Sequence, residues 1–211
     1  MFSGLVLGRV VILGDLHPFL PATAALLAVF LPWENGLWAL AALELSLALV
    51  SSGAEQLSSG IATGAIYGLI LIWKRKRKVG VWTAGAIAGS GCLLFKAVIL
   101  NNTGYYHLLN LLFEALLAAV LACVLFKLPA AILAIRLRRS LTGEELISLF
   151  IWAAALVVGC GNLDLVGLRI GEILSQVLIL LAAFIGGAGL GAAAGAAVGV
   201  LPLLISLPLA S

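Results

Sequence analysis

Apolar residues along this chain occur in long blocks, and the polar ones collect in short segments between them. The blocks cover about residues 18–31, 37–50, 57–73, 81–100, 108–126 and 146–159, followed by a stretch from 173 to 209 interrupted by glycines and two prolines. None alternates with period two and none keeps one wet face. They read as helices that are apolar all round, the pattern of segments dissolved in lipid. The separators are turn chemistry or charge: Pro32-Trp33-Glu34-Asn35-Gly36, Ser51-Ser52-Gly53-Ala54-Glu55, the basic run from Lys74 to Lys78, Asn101-Asn102-Thr103-Gly104-Tyr105-Tyr106-His107, and Gly161-Asn162-Leu163-Asp164.

Composition turns this pattern into a fold class. Of 211 residues, 64% are hydrophobic and 10% charged, against roughly 45–50% and about 25% in a soluble domain. That much apolar surface cannot be hidden behind so few charges. A soluble globule, a disordered chain, a fibrous repeat and a disulfide scaffold are excluded. What remains is an all-α, polytopic transmembrane helix bundle. At about 20 residues per span the chain has room for roughly eight passes in a single domain, 1–211, and none for a soluble catalytic domain.

Charge placement orients the passes. Eight of the 12 Lys and Arg fall in two groups, Lys74 to Lys78 and Arg136, Arg138 and Arg139. Short basic loops stay on the cytoplasmic side, and two apolar blocks lie between these groups, the parity that rule demands. The segment from Asn101 to His107 is then an outside hairpin with interfacial tyrosines. His17 also falls outside. Met1 to Leu13 is apolar but too short to cross, with no basic region before it and no small-residue cleavage site after it. It reads as the outer part of a first helix, not a signal peptide. Thr142 precedes the 146–159 block with Glu145 three residues on, the spacing of a capping box. The 173–209 stretch fits either one pass plus a broken helix or two passes.

Twenty-four glycines would be damaging in a soluble helical protein. In lipid they let helix backbones approach, because association there rests on packing. Gly60, Gly64 and Gly68 form one ridge at four-residue spacing, and Gly191, Gly195 and Gly199 another, with single pairs at Gly4/Gly8 and Gly85/Gly89. These are expected to pack helices within the chain, with a self-association face as the lesser use. Gly187 to Ala192 looks like a dinucleotide-binding turn but follows no strand.

Few residues could carry chemistry. Glu44, Lys96 and Glu114 are ionisable residues inside expected helices, and Arg9 lies near the outer end of the first. Charges within a membrane are functional candidates by default. Lys96 and Glu114 lie on the two arms of the Asn101–His107 hairpin, roughly 6 Å and roughly 12 Å in from its turn at a rise of about 1.5 Å per residue. They read as a structural ion pair, or a snorkelling lysine beside a protonated glutamate. The sharper alternative is a polar site for a proton or ligand. Glu44 can pair with Arg9 or Lys96, or be neutral. Cys92, Cys123 and Cys160 stand alone in apolar segments, as small buried hydrophobes do. No catalytic residue, cofactor site or metal site is expected in this chain, and no nucleic-acid partner. The basic run could touch anionic lipid, although topology suffices to explain it.

Three stretches, taken in order, resemble a known family. Gly4-Leu5-Val6-Leu7-Gly8-Arg9-Val10-Val11-Ile12-Leu13 is followed by Leu16-His17-Pro18-Phe19. Ser140-Leu141-Thr142-Gly143-Glu144-Glu145-Leu146-Ile147 opens a later block. Gly171-Glu172-Ile173-Leu174-Ser175 leads to Phe184-Ile185-Gly186-Gly187-Ala188-Gly189-Leu190-Gly191 and Val198-Gly199. In this order and spacing they resemble the N-terminal membrane region of stage II sporulation protein E of endospore-forming bacteria, over nearly the whole chain. The resemblance implies further membrane passes, a cytoplasmic regulatory region and a metal-dependent serine/threonine phosphatase domain of the PP2C type. That phosphatase acts on an anti-anti-sigma factor, releases the first forespore-specific sigma factor and associates with the division machinery at the polar septum. A divalent metal, manganese or magnesium, belongs to the phosphatase domain, whose metal-binding aspartates have no counterpart here. Relative to the family the chain reads as truncated at both ends.

Two functions are therefore expected in order. The first is a membrane anchor and localisation module of a sporulation phosphatase, in the bacterial cytoplasmic membrane and at the polar septum, with lipid, further copies of itself, and division or sporulation membrane proteins as partners. The second is a small transporter or channel with its polar site at Glu44, Lys96 and Glu114, since glycine-broken helices build such sites. Residues 1–73 and 81–156 show no convincing inverted repeat to support it.

Overall fold

The computed structural model describes residues 17–48, 54–100, 104–159, 164–165 and 168–206. The expectations for Met1 to Leu13, Arg9, Gly4/Gly8 and Cys160 lie outside them. The described chain is helical: α1 Phe19–Phe30, α2 Trp33–Ala48, α3 Ala54–Lys76, α4 Val81–Leu100, α5 Tyr105–Leu125, α6 Leu128–Arg136, α7 Gly143–Gly159 and α8 Ile170–Ser206. A two-residue antiparallel hairpin, Asp164–Leu165 with Leu168–Arg169, joins α7 to α8.

Helix α1 is the centre of the bundle. It touches α2, α3, α4 and α5, and nine of its 12 residues are buried. Alanine at 22, 25 and 28 lets the neighbours close in on Ile66, Tyr67 and Ile70 of α3, Ala88 and Cys92 of α4, and Ala115 and Ala122 of α5. On another side Phe19 and Leu26 meet Leu125 of α5 and Ala155 of α7. Pro21 sits in the first turn, where a missing N–H costs nothing. The outer helices do the reverse. Along α5, Leu109, Leu112, Phe113, Leu116 and Val120 face outward, as a bilayer solvent permits.

Three described segments are long and apolar enough to cross a membrane: Leu57–Lys76, Val81–Ile99 and Tyr105–Arg136, the last running through α5 and α6. Helices α1, α2 and α7 have 12, 16 and 17 residues. By length and composition the described chain therefore has three clear spans, fewer than the roughly eight for which it has room.

Several boundaries differ from the sequence pattern. Trp33 to Gly36 is the first turn of α2, not a loop: Pro32 initiates it, its carbonyl accepting from the Gly36 N–H at 2.9 Å. Tyr105 to His107 opens α5 and belongs to the helix. Helix α6 has no separate block in the hydrophobic pattern. Pro129 in its first turn fixes the dihedral a new helix needs after Phe126.

Glycine contacts redistribute as well. Gly64 and Gly68 face open space, so the expected ridge along α3 is not a close approach. Gly60 lies under the carboxylate of Glu44. The tight seam is instead Gly85 and Gly89 of α4 against Ala115 and Ala119 of α5. In α8 the chain breaks at Gly187, with φ 73° and ψ −174°, a conformation that only glycine adopts readily. The return arm packs antiparallel on the first: a Cβ at Gly191 would come within 2.6 Å of Ala183 Cβ, and one at Gly195 within 4.0 Å of Ile179. The stretch that fits one broken pass or two is thus a helical hairpin. The surroundings of Gly199 lie outside the described side chains.

Candidate functional site

Helix α1 is about 18 Å long at 1.5 Å per residue, against a hydrocarbon core of about 30 Å. With its C-terminus at the Lys74 end of the bundle, its N-terminus must fall inside the protein, and the orphan N–H and C=O groups at both ends need partners. Charged side chains supply them at both ends. At the N-terminus, the backbone N–H of His17 donates to Glu114 Oε1 at 3.1 Å. At the C-terminus, Lys74 Nζ donates to the carbonyls of Val29 at 2.8 Å and Ala28 at 3.3 Å. An anion at the start and a cation at the end is the arrangement the helix dipole favours.

Glu114 is itself neutralised. Lys96 Nζ reaches the same Oε1 at 2.6 Å, with the two side chains 8% and 3% exposed. The geometry follows from the antiparallel α4–α5 pair. Gly89 opposite Ala115 sets a register that puts Lys96 nearer the hairpin turn than Glu114, and the long lysine side chain spans the difference. The ion pair expected from the hairpin is present, and the lysine points inward to its partner. His17, expected in an outside loop, is instead buried at 4% exposure, because its N–H follows Glu114 into the bundle. Cys92, one turn before Lys96, is fully buried.

Glu44 stands apart from this cluster. Its carboxylate lies over Gly60, and Oε1 has no hydrogen-bond partner among the described residues. Buried hydroxyls on α1, α2 and α3 bond their own helix: Thr23 to Phe19 at 2.7 Å, Ser46 to Leu43 at 2.7 Å and Thr63 to Ser59 at 2.6 Å. The pairing of Glu44 with Lys96 is not formed, since Lys96 is committed to Glu114. Among the described residues no three His, Cys, Asp or Glu come together to hold a metal ion.

The end of the bundle that carries Lys74 also holds the second basic group, as the antiparallel α4–α5 pair requires. There Thr142 and Glu145 form a reciprocal capping box. The Glu145 N–H donates to Thr142 Oγ1 at 3.4 Å, and Glu145 Oε2 accepts from the Thr142 N–H at 3.0 Å. Arg139 closes on Glu145 Oε1 at 2.5 Å, and Lys127 on Glu144 at 3.2 Å. The Glu145 carboxyl is held below the usual carboxylate range, first by the Thr142 N–H and then by Arg139. A depressed folded pKa contributes stability that is complete above the unfolded value of about 4.3 and is lost as pH falls through the folded one. Glu145→Gln should therefore lower the melting temperature more at pH 7 than at about pH 3. Thermal unfolding in detergent at the two pH values measures this, and an equal deficit at both would refute it.

The fold and the cluster together define a polytopic helical membrane domain whose deepest charges are paired within the bundle. Within that class, residues 1–209 match the family described as SpoIIE, N-terminal domain, and the chain belongs to it. No curated protein and no solved structure matches the chain.

Proposed function

We propose that this chain is the membrane-anchoring and localisation module of a sporulation phosphatase of the PP2C type, holding that enzyme in the bacterial cytoplasmic membrane and at the polar septum, where it acts in forespore sigma-factor activation. The observation that carries the reading is the family match along residues 1–209. Its mechanism is positional. The chain performs no catalysis of its own. The bundle fixes the attached enzyme to one membrane, and its loops or lipid-facing helices meet further copies or division and sporulation membrane proteins.

The internal charges support an anchor better than a transport site. Glu114 and Lys96 close on each other and on the end of α1, so neither is offered to a permeant ligand. A fusion of the whole chain to a fluorescent protein, followed in sporulating cells, tests the proposal. Signal concentrated at the polar septum is expected. Uniform fluorescence over the membrane would overturn the localisation role.

A further inference from the structure

The two basic groups at one end of the bundle have the same sign but different surroundings. In the second group Arg139 is paired with Glu145, and the exposed Arg136 and Arg138 have no tryptophan near them in the chain; in the first, Lys74 is committed to the end of α1. Arg75, Lys76, Arg77 and Lys78 are exposed, and no ion pair involves them among the described residues. They occupy the last turn of α3 and the four-residue link to α4, so they lie where two of the three clear membrane spans leave the bilayer. Trp73 and Trp82 flank them with 45% and 83% of their surfaces exposed. Exposed tryptophans settle at headgroup depth.

If topology were the whole use of these residues, pairing them would not matter, since acidic residues contribute little to orientation. The free charge is the additional observation. We propose that Arg75 to Lys78 form a binding site for anionic phospholipid headgroups, held at the membrane surface by Trp73 and Trp82. The headgroup phosphate meets four free cations at the end of two spanning helices, and the acyl chains lie along α3 and α4. This site concentrates acidic lipid around the protein, or draws the protein to membrane rich in it.

The test uses the full chain with Trp73 and Trp82 as its only tryptophans, the other three changed to phenylalanine, in lipid nanodiscs. Brominated phosphatidylglycerol and brominated phosphatidylcholine are compared as quenchers at equal mole fraction. Quenching by the anionic lipid should exceed that by the zwitterionic one by roughly twofold or more, and the excess should disappear at high salt. It should also disappear in R75Q/K76Q/R77Q/K78Q but persist in R136Q/R138Q, whose unchanged helical circular dichroism would serve as the folding control for both. Equal quenching by the two lipids, or an excess that survives the quadruple substitution, overturns the proposal. Loss of the excess on adding inorganic phosphate, but not sodium chloride of equal ionic strength, would assign the site to free phosphate and overturn the lipid reading. Loss on adding an acidic peptide at equal ionic strength would assign it to a protein partner instead.

Discussion

Glu114→Leu should be among the most damaging single substitutions in the described bundle, and restoring charge balance with Lys96→Met should recover much of the loss. Removing one partner of a buried ion pair leaves the other charge without compensation, at about 3–5 kcal/mol. Glu114 also accepts the His17 N–H at the end of α1, and an orphaned buried donor adds about 1–3 kcal/mol. Lys96→Met alone should cost less. The glutamate left behind still accepts from His17, whereas a lysine left behind must snorkel toward the surface and the His17 N–H loses its acceptor. In the double variant the paired charges are gone and the apolar replacements suit the surroundings, so only the cap on α1 remains missing. The measurement is a double-mutant cycle on reversible unfolding in mixed detergent micelles. In the expected order of stability the wild type comes first, Glu114→Leu last, and Lys96→Met and the double variant lie between them. A double variant no more stable than Glu114→Leu would show that the pair does not act as a unit. Glu114→Gln, which keeps an acceptor for His17, separates the cap from the charge. If membrane insertion and septal localisation survive in the double variant, neither residue handles a proton or ligand.

The hairpin that carries this pair is legible in the amino-acid sequence, because charge placement obeys a rule with few exceptions: two basic groups fix the side of two loops, and parity fixes the spans between them. The capping box at Thr142 and Glu145 is legible for a related reason, since both partners lie within four residues. The depth of α1 is not. Its 12 residues look like one more apolar block, and nothing local tells a short helix in the centre of a bundle from a spanning one at its edge. That difference lies in Glu114, 97 positions away from His17, and in Lys74, whose charge by itself points to topology alone. For the same reason His17 reads as a loop residue. The break at Gly187 is half visible, because a glycine cluster marks where a helix can turn but not whether it does.

The glycine ridges show the same limit, and they supply the second large effect. Gly89→Ala should destabilise the protein by about 1–3 kcal/mol, the range for overpacking a close contact, while Gly64→Ala and Gly68→Ala should be neutral or stabilising. Spacing alone favours the opposite outcome, because Gly60, Gly64 and Gly68 make the longer motif. The structure places the contact elsewhere. A Cβ on Gly89 would stand 2.9 Å from both the Ala115 carbonyl oxygen and Ala119 Cβ. Backbone and a β-carbon cannot swing away as the tip of a long side chain can, so α4 and α5 must separate. Separation also moves Lys96 relative to Glu114 and weakens the pair that caps α1. Around Gly64 and Gly68 there is open space, so an added methyl meets nothing, and alanine removes the conformational freedom that glycine gives the unfolded chain, worth about 0.4–1 kcal/mol. Thermal unfolding of the three single variants in one detergent makes the comparison. If Gly64→Ala and Gly68→Ala are damaging while Gly89→Ala is tolerated, the tight seam of this bundle lies along α3, and the register that joins Lys96 to Glu114 must be set by something other than Gly85 and Gly89.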